Sequence, residues 1–159
     1  MKRLAAVVVL VLAVGGGFAG YQWYLNNTGP VEHFKLVYEQ KVQDRAIRTV
    51  MLGRIGERAG WQRASERLAS ELIGSCAQCE ILEQTRLDTL SRQQKALFQS
   101  KNLDFHYISM DAGSRNRSDI RIFYPAMGER YTGKACEFGA RKIKASMNQG
   151  RVRCIKASG

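Results

Sequence analysis

The longest apolar run is the first one. Leu4 to Gly20 contains 17 residues without a charged or strongly polar side chain, preceded by Met1-Lys2-Arg3 and followed by Tyr21, Trp23 and Tyr24. That length exceeds a usual signal-peptide core and reaches the lower limit for crossing a bilayer. The aromatic residues extend it with side chains favoured at a membrane-water interface. The pattern predicts a signal anchor or transmembrane helix over residues 1–25, in contact with the membrane through residues 4–24. Gly17-Phe18-Ala19 also offers the small residues of a cleavage site, so a secreted or periplasmic product cut near Ala19 is the alternative. Lys2 and Arg3 hold the N-terminus on the cytoplasmic side, which places the remainder outside. The expected location is a bacterial inner membrane, crossed once, with the C-terminal domain in the periplasm.

Asn26-Asn27-Thr28-Gly29-Pro30 forms a turn-rich linker over residues 26–30. Phe34, Val37, Tyr38, Val42, Ala46, Ile47, Val50 and Met51 then recur close to a helical period, predicting a long amphipathic helix from Val31 to about Arg58. Gly53, Gly56 and Gly60 weaken its end. Trp61, Ala64, Leu68 and Leu72 predict a second helix, and Ser75 with Gln78 fits a capping box opening a third, to about Phe98. From Leu103 the runs read as strands at Leu103–Met110, Ser118–Tyr124, Tyr131–Phe138, Arg141–Met147 and Arg151–Ile155. The expected fold is α+β: two to three amphipathic helices over residues 31–100, then a four- to five-stranded, mainly antiparallel sheet over residues 101–159 of the same domain. No internal repeat is evident.

Four cysteines, all beyond the anchor, fit two disulfides in an oxidising compartment. The local pairs Cys76 with Cys79 and Cys136 with Cys154 are favoured among three connectivities. A regular three-stranded meander would hold Cys136 and Cys154 about 9.6 Å apart, beyond the ~7 Å reach of a disulfide. Either an irregular 139–150 segment brings Cys136 and Cys154 together, or each of them bonds instead to Cys76 or Cys79. Placed in the first turn of a helix, Cys76-Ala77-Gln78-Cys79 also permits a thiol-disulfide oxidoreductase reading, because unpaired N–H groups there stabilise a thiolate. The context of a thioredoxin motif, a preceding buried strand, is missing. A four-cysteine zinc site is not expected, since Cys136 and Cys154 lack the second CxxC spacing.

Charge adds a possible partner. The formal net charge is +11, of which Lys2 and Arg3 supply two, and residues 130–159 hold eight Lys or Arg against Glu137 alone. Lys142, Lys144, Arg151 and Arg153 are the candidate binding residues, expected on one face of a C-terminal hairpin with Lys144 opposite Arg153. Such a face suits another envelope protein or an anionic surface: lipid headgroups, an envelope polymer or nucleic acid. Specific nucleic-acid binding is not expected, because Phe123 and Tyr131 in strands are usually core residues.

Catalytic signatures do not appear. His33 and His106 are isolated, the carboxylates Glu71, Glu80, Glu83 and Asp88 read as solvated helix positions, and no nucleophile elbow, P-loop, Rossmann or zinc-protease pattern occurs. No enzyme activity, cofactor or metal is expected. The leading expectation is a membrane-anchored, disulfide-stabilised accessory or protein-interaction domain with a basic binding face; the alternatives are the Cys76/Cys79 oxidoreductase and a polyanion binder.

Overall fold

A computed structural model describes residues 30–42, 45–56, 60–76, 78–111, 119–125, 127–146 and 150–158. The anchor, its Ala19 cleavage alternative and most of the linker lie outside these residues. Among the described residues no helix is long and apolar enough to cross a membrane. The expected α+β class holds, with three helices and six antiparallel strands interleaved among the described residues.

Strands β1 (Val31–Val42) and β2 (Arg45–Gly56) form a hairpin where one long helix was expected. The physical reason is burial on both faces. Phe34 and Leu36 point to one side of the sheet and Val37 to the other, while Val50, Met51 and Leu52 are buried in succession. A strand covered on both sides reads as near-continuous apolar sequence, and its density imitates a helical stripe. Gly53 serves this packing: a Cβ there would overlap the Phe34 ring, which occupies the space a side chain would need.

Helix α1 (Trp61–Ser75) follows as predicted. Its Trp61 N–H donates to Glu32 Oε2 at 2.9 Å, placing a carboxylate at the positive helix end. The expected helix from Ser75 to Phe98 is instead strand β3 (Cys79–Leu87) and the short helix α2 (Arg92–Phe98). The S-x-x-Q signature recurs at Ser91, and the functioning box there is Ser91 with Gln94: Gln94 N–H donates to Ser91 Oγ and Ser91 N–H to Gln94 Oε1. In β3 the pairing steps from Val37↔Glu83 to Tyr38↔Ile81, so Leu82 is bulged out and left exposed at the sheet edge.

Strands β5 (Asp119–Phe123) and β6 (Arg151–Ile155) match their predicted positions, while β4 (Tyr107–Asp111) takes only the second half of its expected run, Leu103–His106 lying before it. Between them, Tyr131–Phe138 and Arg141–Met147 are not strands: residues Glu129–Ser146 form helix α3. Its buried stripe of Thr132, Cys136, Ala140 and the partly buried Ile143 is built mostly of small residues, whereas the large Tyr131 and Phe138 face outward. Small residues allow close approach to the sheet; at Gly139 an added Cβ would lie 2.8 Å from Ile108 Cδ1.

The strand order is β3-β1-β2-β5-β4-β6. Each half is a hairpin, a helix, and a third strand returning antiparallel beside the first, and β2 joins β5 at the centre. The topology is thus duplicated although the sequence shows no repeat. Helices α1 and α3 pack with Leu36, Met51, Ile108 and Ile122 on one sheet face. Helix α2 and the following segment pack with Val37, Leu52 and Tyr107 on the other. Arg121 lies buried under α2, donating from Nε to Leu97 O at 2.9 Å and from Nη2 to Phe98 O at 3.4 Å, so its guanidinium meets the carbonyl end of that helix.

Candidate binding surfaces

Both expected local disulfides are present, each tying a helix to the third strand of its half. Cys76–Cys79 closes the α1–β3 turn with a Cα–Cα distance of 5.4 Å. Cys136–Cys154 joins the middle of α3 to β6 at 5.5 Å, with Cys136 fully buried. The meander that would have kept Cys136 and Cys154 apart does not exist: one cysteine is on a helix lying directly over the strand that carries the other.

The geometry removes the feature on which thiol chemistry was to rest. Cys76 is the C-cap of α1, its N–H directed to Ile73 O. The CxxC therefore sits at the carbonyl end of a helix, where partial negative charge disfavours a thiolate. Among the described residues no group of three or more His, Cys, Asp or Glu side chains converges as metal ligands.

The four candidate basic residues do not share a strand face. Arg151 and Arg153 lie on β6, alternating with Val152 and Cys154, which pack toward α3; the two arginines point to the α2 side of the sheet. Lys142 and Lys144 lie on α3, on the opposite side. The hairpin register with Lys144 opposite Arg153 is replaced by Ser109 opposite Arg153 and Asp111 opposite Arg151.

Helix α3 gathers a different set. At 100° per residue, Tyr131, Lys134, Phe138, Arg141, Lys142 and Ala145 fall on the side away from Thr132, Cys136, Ala140 and Ile143. Tyr131 is 66% exposed and Phe138 58%, and Lys142 Nζ stands 5.6 Å from the Phe138 ring centroid. Lys134, Arg141, Lys142 and Lys144 are exposed. The acid on this helix side, Glu137, is paired with Lys156 at 3.3 Å. The sequence held a signal for this surface, since Tyr131 and Phe138 are seven residues apart with Lys134 and Lys142 in helical register, but the strand assignment concealed it.

A cleft of about 390 Å³ lies beside the first turns of α3, walled by Phe105, Phe123 and Tyr124, with Asp104 and His106 at its polar side. His106 Nδ1 accepts the Ala157 N–H at 3.2 Å, which leaves the neutral ring's proton on Nε2, beside Gly133. Burial, with Tyr38 nearby, pushes the Tyr124 hydroxyl up to about 12, so it stays protonated across the physiological range. His33 packs against Phe98 at 5.2 Å, and burial together with the Arg54 charge lowers its pKa. The two histidines belong to separate environments.

Comparison with known proteins finds no matching family model, no similar curated protein and no similar solved structure.

Proposed function

We propose that the chain is a membrane-anchored accessory domain of the cell envelope that binds an anionic partner through the outward face of α3. The observation that carries this reading is the exposure of Tyr131 and Phe138 among Lys134, Arg141 and Lys142. Two large aromatic side chains held in water mark an interaction surface, and the cations around them suit an anionic partner. Two disulfides support an oxidising location, in agreement with the apolar N-terminal segment. The duplicated sheet is then a rigid support, and Cys136–Cys154 fixes the binding helix to it.

Retention on an immobilised polyanion tests the localisation of binding. Lys134→Glu with Lys142→Glu is expected to elute at much lower salt than the unaltered chain. Arg151→Glu with Arg153→Glu, an equal change in net charge on the other side of the sheet, is expected to keep most of the retention. Equal loss in both variants would reduce the effect to overall charge and remove α3 as a site.

A further inference from the structure

We infer that the outward face of α3 is an interfacial docking face for anionic phospholipid headgroups of the bilayer in which the chain is anchored. The inference rests on the anchored reading above and names the partner of its basic face.

Three observations favour a lipid surface over an acidic protein. The first is side-chain type: Tyr131 and Phe138 are apolar bodies suited to the headgroup boundary, and the lysines around them have long stems that keep an ammonium in contact with phosphates while the stem lies on apolar surface. The second is shape. From Tyr131 to Lys142 the stripe follows one helix for roughly 17 Å, presenting a linear array to a plane. The third is position in the fold. Arg151, at the start of β6, is opposite Asp111, which is opposite Asp119, then Arg54, then His33 near the start of β1. The end of α3 therefore reaches the same end of the sheet at which the chain enters from the linker. Residues 26–30 span at most about 18 Å when extended, and β6 stands four strand spacings from β1, about 19 Å. The cationic end of α3 thus lies at the end of the sheet to which the linker is attached, within about one linker length of β1.

Lysine acylation footprinting on the full chain, reconstituted into vesicles, tests this. Lys95 and Lys101, exposed on the α2 side, are internal controls. In vesicles of phosphatidylcholine containing phosphatidylglycerol, Lys134 and Lys142 are expected to react at least fivefold more slowly than the controls. In wholly phosphatidylcholine vesicles the difference is expected to vanish, and Tyr131→Ser with Phe138→Ser is expected to abolish it in anionic vesicles too. Equal reactivity in both vesicle types would overturn the proposal. Protection in native envelope membranes but not in anionic vesicles would assign the face to a protein partner, overturning the lipid assignment while leaving the binding reading intact. Failure of the chain to float with neutral vesicles would remove the anchor and this proposal with it.

Discussion

Replacing Arg121 with methionine should separate α2 from the sheet before the rest of the fold is lost. Arg121 is 2% exposed on β5. Beyond its contacts with Leu97 O and Phe98 O, its Nη1 reaches Ile120 O at 3.1 Å, Met110 O at 3.2 Å and Asp111 Oδ1 at 3.1 Å. Methionine fills much of the volume and supplies no donor. The carbonyls at the end of α2 then lose a partner, and Asp111 remains as a mostly buried carboxylate without its cation. Breaking a buried pair on one side costs about 3–5 kcal/mol. Against a typical total of about 5–15 kcal/mol, that is a large fraction. Urea unfolding followed by circular dichroism in oxidising buffer measures the loss, and amide exchange locates it. The backbone amides of Gln99 and Ser100, which donate to Lys95 O and Leu97 O, should lose protection well before those of β1 and β2. Adding Asp111→Leu should recover part of the stability, because it removes the orphaned charge. A methionine variant within about 1 kcal/mol of the unaltered chain would refute the argument, since that is no more than one ordinary hydrogen bond.

Gly53→Val should destabilise the domain by about 1–3 kcal/mol or more through overpacking, because the Phe34 ring occupies the Cβ position; thermal unfolding measures it, and a neutral effect would contradict the packing. Cys136→Ser with Cys154→Ser should cost about 3 kcal/mol on loop-entropy grounds, read from the denaturant midpoint, with α3 the first element to lose exchange protection. For His33 the folded pKa lies below the ordinary value of 6.5, so the unfolded chain binds more protons just below that pH and stability falls as acid is added through the window. His33→Phe should flatten that part of the stability profile, and an unchanged slope would assign the dependence elsewhere.

How much of this was legible depended on whether an element shows the sequence one face or two. Helix α1 and strand β6 keep one buried face and a clear pattern, with Leu68 and Leu72 on one side of α1 and alternation at Val152 and Cys154, and both were found. Strands β1 and β2 are covered by α1 on one side and α2 on the other, so their apolar residues accumulate without alternation. Residues 43 and 44 connect them as Gln-Asp, without the Asn-Gly signal of a tight hairpin. Helix α3 failed for the opposite reason: Thr132, Cys136 and Ala140 form its inner stripe and carry little hydrophobic signal, while Tyr131 and Phe138 carry a strong one and face solvent. The basic cluster was visible as composition, but its sorting into two sides depended on the helix. The disulfide pairing was sound, yet the strand geometry argued against it rested on an element that does not exist.

The account depends most on an oxidised domain held outside a membrane. Alkylating the natural product without reductant, then weighing the intact chain from separated membrane and soluble fractions, tests this directly. The account predicts a membrane-bound chain with no alkyl groups added, both Cys76–Cys79 and Cys136–Cys154 being closed. A cytosolic chain carrying an alkyl group on every cysteine would contradict it.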